Sequence, residues 1–135
     1  MKYFLDANVL MHLSNDERKG AKIEKQMRRV GVENIFVSTI TLYELHTKLI
    51  KAKVSPANVK KLSDLVAAFE VKNFNSGAAV AAAKVRDYLE SIGKPSGHQD
   101  QMLAGHAKYE KAVLVANNTK DFEHIYGLKI EDWIV

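Results

Sequence analysis

The chain of 135 residues has no cysteine, two prolines and no long apolar run. The lack of cysteine excludes a disulfide scaffold, a thiolate zinc site and a cysteine nucleophile, and it is typical of the reducing cytoplasm, where we expect the protein. No stretch approaches the roughly 18 apolar residues that span a bilayer, so we expect no membrane insertion. Because Asp6 follows only three apolar residues, we expect no signal peptide.

The composition that is present predicts a packed globular protein. A hydrophobic fraction of 47% in 135 residues fits one domain, residues 1–135, with its own core. The formal net charge of +4 favours a polyanionic partner over an acidic one, without identifying it.

Short apolar runs alternate with longer helical patterns. Strands are predicted at about 3–5, 35–37, 69–71, 112–115 and 128–130, and helices fill most of the intervals, with a short one at 120–125. Helices between strands indicate a mostly parallel sheet covered on both faces. The fold class is therefore α/β, a three-layer sandwich with helices flanking the central sheet.

Four acids follow the predicted strands. Asp6 comes directly after the first strand, Glu44 lies in the helix after the second, and Asp100 opens the helix after the irregular loop 94–98. Asp121 follows the fourth strand, together with Asn117 and Asn118. Because functional groups gather beyond the carboxyl ends of parallel strands, we expect the four carboxylates to converge at one edge of the sheet.

Such a cluster has limited physical options. Two carboxylates about 4 Å apart repel each other by roughly 4 kcal/mol at an effective dielectric constant near 20. The group must therefore take up protons or recruit a cation. Oxygen ligands suit Mg²⁺ or Mn²⁺, either of which can activate water and stabilise the leaving oxygen of a phosphodiester.

Helix capping is the alternative interpretation of these acids. Aspartate is a preferred N-cap residue, and Asp6, Asp100 and Asp121 all lie near predicted helix starts. Glu44 fits the far end of a capping box begun by Thr41. Capping alone explains any one acid as well as catalysis does, but it explains four acids at strand ends less well.

Five ordered segments resemble the motifs of PIN domains. They are LDAN at 5–8, VSTITLYEL at 37–45, GKPSGHQD at 93–100 continued by AGHA at 104–107, LVANNTKDF at 114–122 and EDW at 131–133. Their order covers nearly the whole chain. The subgroup they resemble most is the VapC toxins, ribonucleases that VapB antitoxins neutralise.

This resemblance implies a metal-dependent endoribonuclease in which Asp6, Glu44 and Asp100 are catalytic metal ligands. The fourth ligand position falls on Asp121 or Asn118, and we expect the acid. The implied cofactor is Mg²⁺ or Mn²⁺, and the implied substrate is structured RNA, with tRNA a common target in the family. A homodimer is also implied, with a small antitoxin that inserts a basic residue into the acidic pocket.

Further polar residues have weaker indications. We expect Asn8, Asn117 and Asn118 to support the ligating carboxylates by hydrogen bonds. His106 lies nearly opposite Asp100 on its helix and is expected to be structural. One face of the second helix carries four basic residues that could bind an RNA backbone or be exposed to solvent alone: Arg18, Lys22, Lys25 and Arg29.

Two other functions compete with the nuclease. A PIN fold kept only to bind RNA or protein would be expected to have lost an acid, and this chain has all four. A phosphoryl-accepting receiver domain has similar alternation of strands and helices, but it requires an acidic pair after the first strand, which the segment Leu5-Asp6-Ala7 lacks.

Overall fold

Five short strands pair into one sheet in this computed structural model, which describes residues 1–135. They are β1 (Lys2–Leu5), β2 (Ile35–Ser38), β3 (Glu70–Lys72), β4 (Ala112–Val115) and β5 (Ile130–Glu131). Their order is β3-β2-β1-β4-β5, and every pairing is parallel. The α/β class is therefore confirmed, and the sheet is wholly parallel.

The central strand β1 pairs with β2 on one side and β4 on the other. The strand order changes direction at this point. In an open parallel sheet, such a switch point leaves a crevice beyond the carboxyl ends of the neighbouring strands. Asp6, directly after β1, therefore stands at the place where this fold makes room for a ligand.

Six α-helices cover the sheet: α1 (Ala7–Asn15), α2 (Glu17–Val30), α3 (Thr39–Lys51), α4 (Pro56–Val66), α5 (Ser76–Ser91) and α6 (His98–Tyr109). Side chains of Asp6, Asp16, Ser38, Ser55 and Asn75 cap the first five by accepting backbone N–H bonds. None of the helices combines the length and apolar character that crossing a bilayer requires.

Two local expectations were wrong, and one alternative is absent from the structure. The helix expected at 120–125 is only a 3₁₀ turn, Thr119–Asp121. The last strand begins at Ile130 instead of residue 128. No capping box joins Thr41 to Glu44, because Ser38 already caps α3 and the helix begins at Thr39.

The core is divided between the two faces of the sheet. Phe4 of β1 and Leu114 of β4 point to the layer of α5 and α6, whereas Leu5 and Val115 point to the layer of α1 to α4. This alternation follows from the two-residue period of a strand. Because both faces are covered, the strands are apolar at nearly every position, and only the strand ends remain for polar chemistry.

The two helices α5 and α6 approach closely at Gly105. A Cβ atom added to Gly105 would overlap the backbone nitrogen and Cα of Ala82. Gly105 is fully enclosed in this contact, so the position requires a residue without a side chain. This contact holds α6, and with it Asp100, against α5.

Gly105→Ala should lower the free energy of unfolding by about 3 kcal/mol, the upper range for overpacked cores. The loss should exceed the gain of about 1 kcal/mol that alanine offers in a helix. Urea or guanidinium denaturation measures the change. Adding Ala82→Gly should not restore stability, because the overlap involves backbone atoms; a fully rescued double variant would contradict this packing.

Candidate active site

Asp6 is both a helix cap and a buried acid. Its Oδ1 accepts a hydrogen bond of 3.0 Å from the backbone N–H of Val9, which caps α1. Its other carboxylate oxygen has no hydrogen-bond partner, and the residue is only 8% exposed. Capping therefore uses one carboxylate oxygen of Asp6 and leaves the other oxygen available to a ligand.

Glu44 lies on α3 beside a lysine. The Nζ of Lys48, one turn further along the helix, is 3.4 Å from Oε1 of Glu44. The same ammonium donates a hydrogen bond of 2.6 Å to Oδ1 of Asn8 on α1. Asn8 thus contacts the lysine and not a carboxylate, which corrects the role expected for it.

Asp100 and Asp121 form the other side of the site. Asp100 lies in the first turn of α6, but Gly97 occupies the cap position, so Asp100 is not a cap. The two aspartates line one pocket of ≈ 190 Å³ together with Lys94, Lys120 and His124. This pocket places both acids at the carboxyl edge of the sheet.

Of the two asparagines after β4, Asn118 has the expected type of contact. Its Nδ2 donates a hydrogen bond of 2.9 Å to Oδ2 of Asp121. Nδ2 of Asn117 instead lies 3.5 Å from Nε2 of His12. Asn118 therefore orients an acid of the site, whereas Asn117 contacts a histidine on α1.

The charges of the four acids act on one another. Burial raises the pKa of Asp6 from its ordinary value of 3.8 to about 6; the Val9 hydrogen bond opposes this rise and the Glu44 charge adds to it. Burial also raises the pKa of Asp100 to about 6, with further contributions from Asp121 and Glu44. Lys48 lowers both pKa values. The charges of neighbouring acids thus add to the effect of burial at Asp6 and at Asp100.

The carboxylates are not closed around a single point. No three acidic or histidine side chains are arranged to hold one ion as they stand. One oxygen of Asp6 accepts the hydrogen bond that caps α1, and Glu44 forms an ion pair with Lys48. The donor set nevertheless fits a hard divalent cation, since four carboxylates, two of them with raised pKa values, gain by neutralisation.

His106 is a structural residue in this fold, as expected. It is fully buried, its Nδ1 is 2.8 Å from Oγ of Ser38, and its ring meets Phe4 and Phe74 edge to face. Burial lowers its pKa, so the imidazole is neutral. It links α6 to the residue that caps α3.

The four basic residues of α2 lie on an exposed face, as their spacing indicates. Two of them contact the C-terminal segment. Nζ of Lys22 donates to the carbonyl of Ile134 at 3.2 Å, and Nη2 of Arg29 donates to Glu131 at 2.8 Å. Arg18 and Lys25 have no such partner, so the contact with RNA stays a prediction for this face.

The sequence analysis did not identify Lys48 as a residue of the site. The signal was available, because Glu44 and Lys48 are spaced i, i+4 on one helix, where side chains meet. The contact between Lys48 and Asn8 could not be predicted from the sequence, because 40 residues separate them.

Comparisons with known proteins agree with this fold. The family model described as "PIN domain" matches residues 3–128. A relative from Shigella flexneri named "tRNA(fMet)-specific endonuclease VapC" is 30% identical over 133 residues, 98% of each chain. The structure is similar to that of DNA-bound VapBC from Salmonella typhimurium, with TM-score 0.81, 32% identity and 98% of each chain covered. It is also similar to Rickettsia felis VapBC2 on a promoter DNA fragment, with TM-score 0.87, 29% identity and 98% and 99% covered.

Asp6 makes the stability of the metal-free protein depend on pH. Its pKa is raised on folding, so its stabilising effect is complete below pH 4 and is lost as the pH rises through about 6. The loss is on the order of 3 kcal/mol at 1.36 kcal/mol per pKa unit. Asp6→Asn, which keeps a capping residue, should therefore gain stability relative to the parent between pH 4 and pH 7.

Denaturant unfolding of protein freed of divalent cations measures this difference. Asp87→Asn, an exposed change on α5, is the matched control and should follow the parent at every pH. A constant difference between Asp6→Asn and the parent across this range would show that Asp6 is not electrostatically destabilised.

Proposed function

Because this chain belongs to the PIN domain family and is a VapC-type ribonuclease within it, we propose that it is the toxin of a toxin–antitoxin pair and cleaves RNA with a divalent cation. The observation that carries the proposal is the pair of buried acids Asp6 and Asp100, whose pKa values Glu44 helps to raise, with Asp121 also acting on Asp100. Both of these pKa values are about 6. Residues 1–135 act as one domain in this proposal.

The four carboxylates are the residues that would hold the cation. Mg²⁺ or Mn²⁺, when bound, supplies the charge that polarises a phosphodiester and acidifies the attacking water. Asp6 is fixed by its cap on α1 and Asp121 by Asn118, so neither carboxylate has to be ordered when the ligand arrives. No side chain of the protein needs to act as a nucleophile.

We propose a transfer RNA as the substrate. The relative from Shigella flexneri is named for tRNA(fMet), and this chain matches it over nearly its whole length. The pocket of Asp100 and Asp121 also contains Lys94 and Lys120. The two lysines lie beside the acids. Their positive charges would offset the repulsion between these acids and the phosphates that flank the cleaved bond.

The proposed protein partner is a small antitoxin. The similar solved structures from Salmonella typhimurium and Rickettsia felis are VapBC complexes. A basic side chain of such a partner, placed among Asp6, Glu44 and Asp100, would neutralise their charges. It would also occupy the space that the metal ion needs, so the same contact would block the site. We propose a homodimer and a cytoplasmic location for the same toxin.

Asp100→Asn should reduce cleavage of tRNA(fMet) at least a hundredfold while leaving the fold intact. An amide binds Mg²⁺ far less well than a carboxylate, and Asp100 is not the cap of α6. Gel analysis of end-labelled RNA with Mg²⁺ or Mn²⁺ measures the rate. Asp87→Asn should cleave like the parent.

The same variants should differ in their response to metal. A cation at one hundred times its dissociation constant stabilises the folded parent by about 2.7 kcal/mol. Asp100→Asn should lose most of this gain and Asp87→Asn none of it. Parent and Asp100→Asn proteins that cleave equally and melt alike in metal and in chelator would refute the proposed function.

The exposed face of α2 yields a separate prediction on substrate binding. Arg18→Glu with Lys25→Glu, in the inactive Asp100→Asn protein, should weaken tRNA binding and flatten the slope of log K against log salt by roughly 0.7–0.9 per lost phosphate contact. Lys22 and Arg29 stay unchanged, so their contacts with the C-terminal segment are kept. Filter binding at several salt concentrations measures the slope, and an unchanged slope would identify this face as merely solvated.

A further inference from the structure

Lys48 brings a fixed positive charge into the acidic edge of the sheet. Its Nζ is held from two elements, by Glu44 on α3 at 3.4 Å and by the Asn8 amide oxygen on α1 at 2.6 Å. Its side chain is 35% exposed and that of Glu44 is 24% exposed. Most exposed lysines move freely in solvent, whereas this one is anchored with its ammonium at the site.

The charge of Lys48 reaches the other acids as well. It is the basic side chain whose charge lowers the pKa of both Asp6 and Asp100. Lys94 and Lys120 line a pocket together with Asp100 and Asp121, but the basic side chain whose charge acts on Asp100 is Lys48. Lys48 therefore partly neutralises the cluster around Asp6, Glu44 and Asp100.

Given the proposed function, we infer that the Lys48 ammonium takes the place of a second divalent cation, so that the four carboxylates hold one such ion instead of two. Nucleases with two ions place them about 3.5–4 Å apart among shared carboxylates. A second ion beside Glu44 would have to approach the ammonium and compete for the Glu44 and Asn8 oxygens that already bind it.

In this arrangement the acids are neutralised by two positive charges, an exchangeable metal ion and the Lys48 ammonium, which belongs to the chain. An ammonium has three N–H donors and can contact both phosphate oxygens and Glu44. It is part of the chain, and its ion pair with Glu44 fixes it beside the other acids.

Counting bound Mn²⁺ tests the inference directly. We would titrate the full chain without RNA and follow free Mn²⁺ by electron paramagnetic resonance. The parent should bind one ion, and Lys48→Met, which removes the charge, should bind two. Lys48→Arg should bind one, because it keeps the charge. Lys51→Met, exposed on the same helix and without a carboxylate contact, should match the parent.

Two ions in the parent, or a single ion in Lys48→Met at any affinity, would overturn the inference. Lys48→Gln repeats the test with a polar side chain if the methionine variant fails to fold. A second readout is the order of tRNA cleavage in Mg²⁺ below saturation. The rate should rise with the first power of concentration in the parent and in Lys48→Arg, and with the square in Lys48→Met; equal orders would count against the inference.

The outcomes separate this inference from the function on which it rests. A parent that cleaves tRNA and binds two Mn²⁺ ions overturns the role of Lys48 alone. A parent that binds no Mn²⁺ and leaves tRNA intact overturns both.

Discussion

Burial of carboxylates near one another at one edge of a parallel sheet is the constraint on which this site depends. Burial is the larger cause of the raised pKa of Asp6 and Asp100, which reaches about 6 in each, and the charges of neighbouring acids add to it. Two carboxylates about 4 Å apart would repel each other by roughly 4 kcal/mol at an effective dielectric constant near 20. The chain keeps this cost because any neutralising cation is then bound strongly, whether it is a metal, Lys48 or a side chain of a partner. Local instability is what gives the edge its affinity.

The fold prevents the acids from relieving their repulsion by moving away. The backbone N–H of Asp6 donates to the carbonyl of Val115, which extends the pairing of β1 with β4 by one residue. Its side chain is fixed at the same time by the N–H of Val9. A carboxylate on a flexible loop would turn towards water, but this one is held by a strand on one side and a helix on the other. Because Asp6 directly follows the central strand β1, its carboxylate is held in one position.

The sequence predicted what depends on local pattern. Alternation of apolar strands and helices indicated the layers, and the positions of Asp6, Asp100 and Asp121 along the chain led us to expect them at one edge. What it did not predict depends on contacts between distant segments. Asn8 reaches Lys48 across 40 positions, and no local rule pairs an amide on α1 with an amine on α3. The short helix expected after β4 is a different case, since a local hydrogen bond joins Asn118 to Asp121 across a 3₁₀ turn there.

The net charge of the chain was a poor guide to where its cations act. Arg29 on α2 binds the carboxylate of Glu131, which also accepts the indole N–H of Trp133 at 2.9 Å. Trp133 in turn packs against Tyr3 of β1, with ring centroids 5.8 Å apart. Lys22 holds the carbonyl of Ile134 in the same segment. The closing residues 131–134 are therefore fastened to α2 and to the central strand. Part of the basic face that resembled an RNA surface serves to fix the end of the chain beside the strand that carries Asp6.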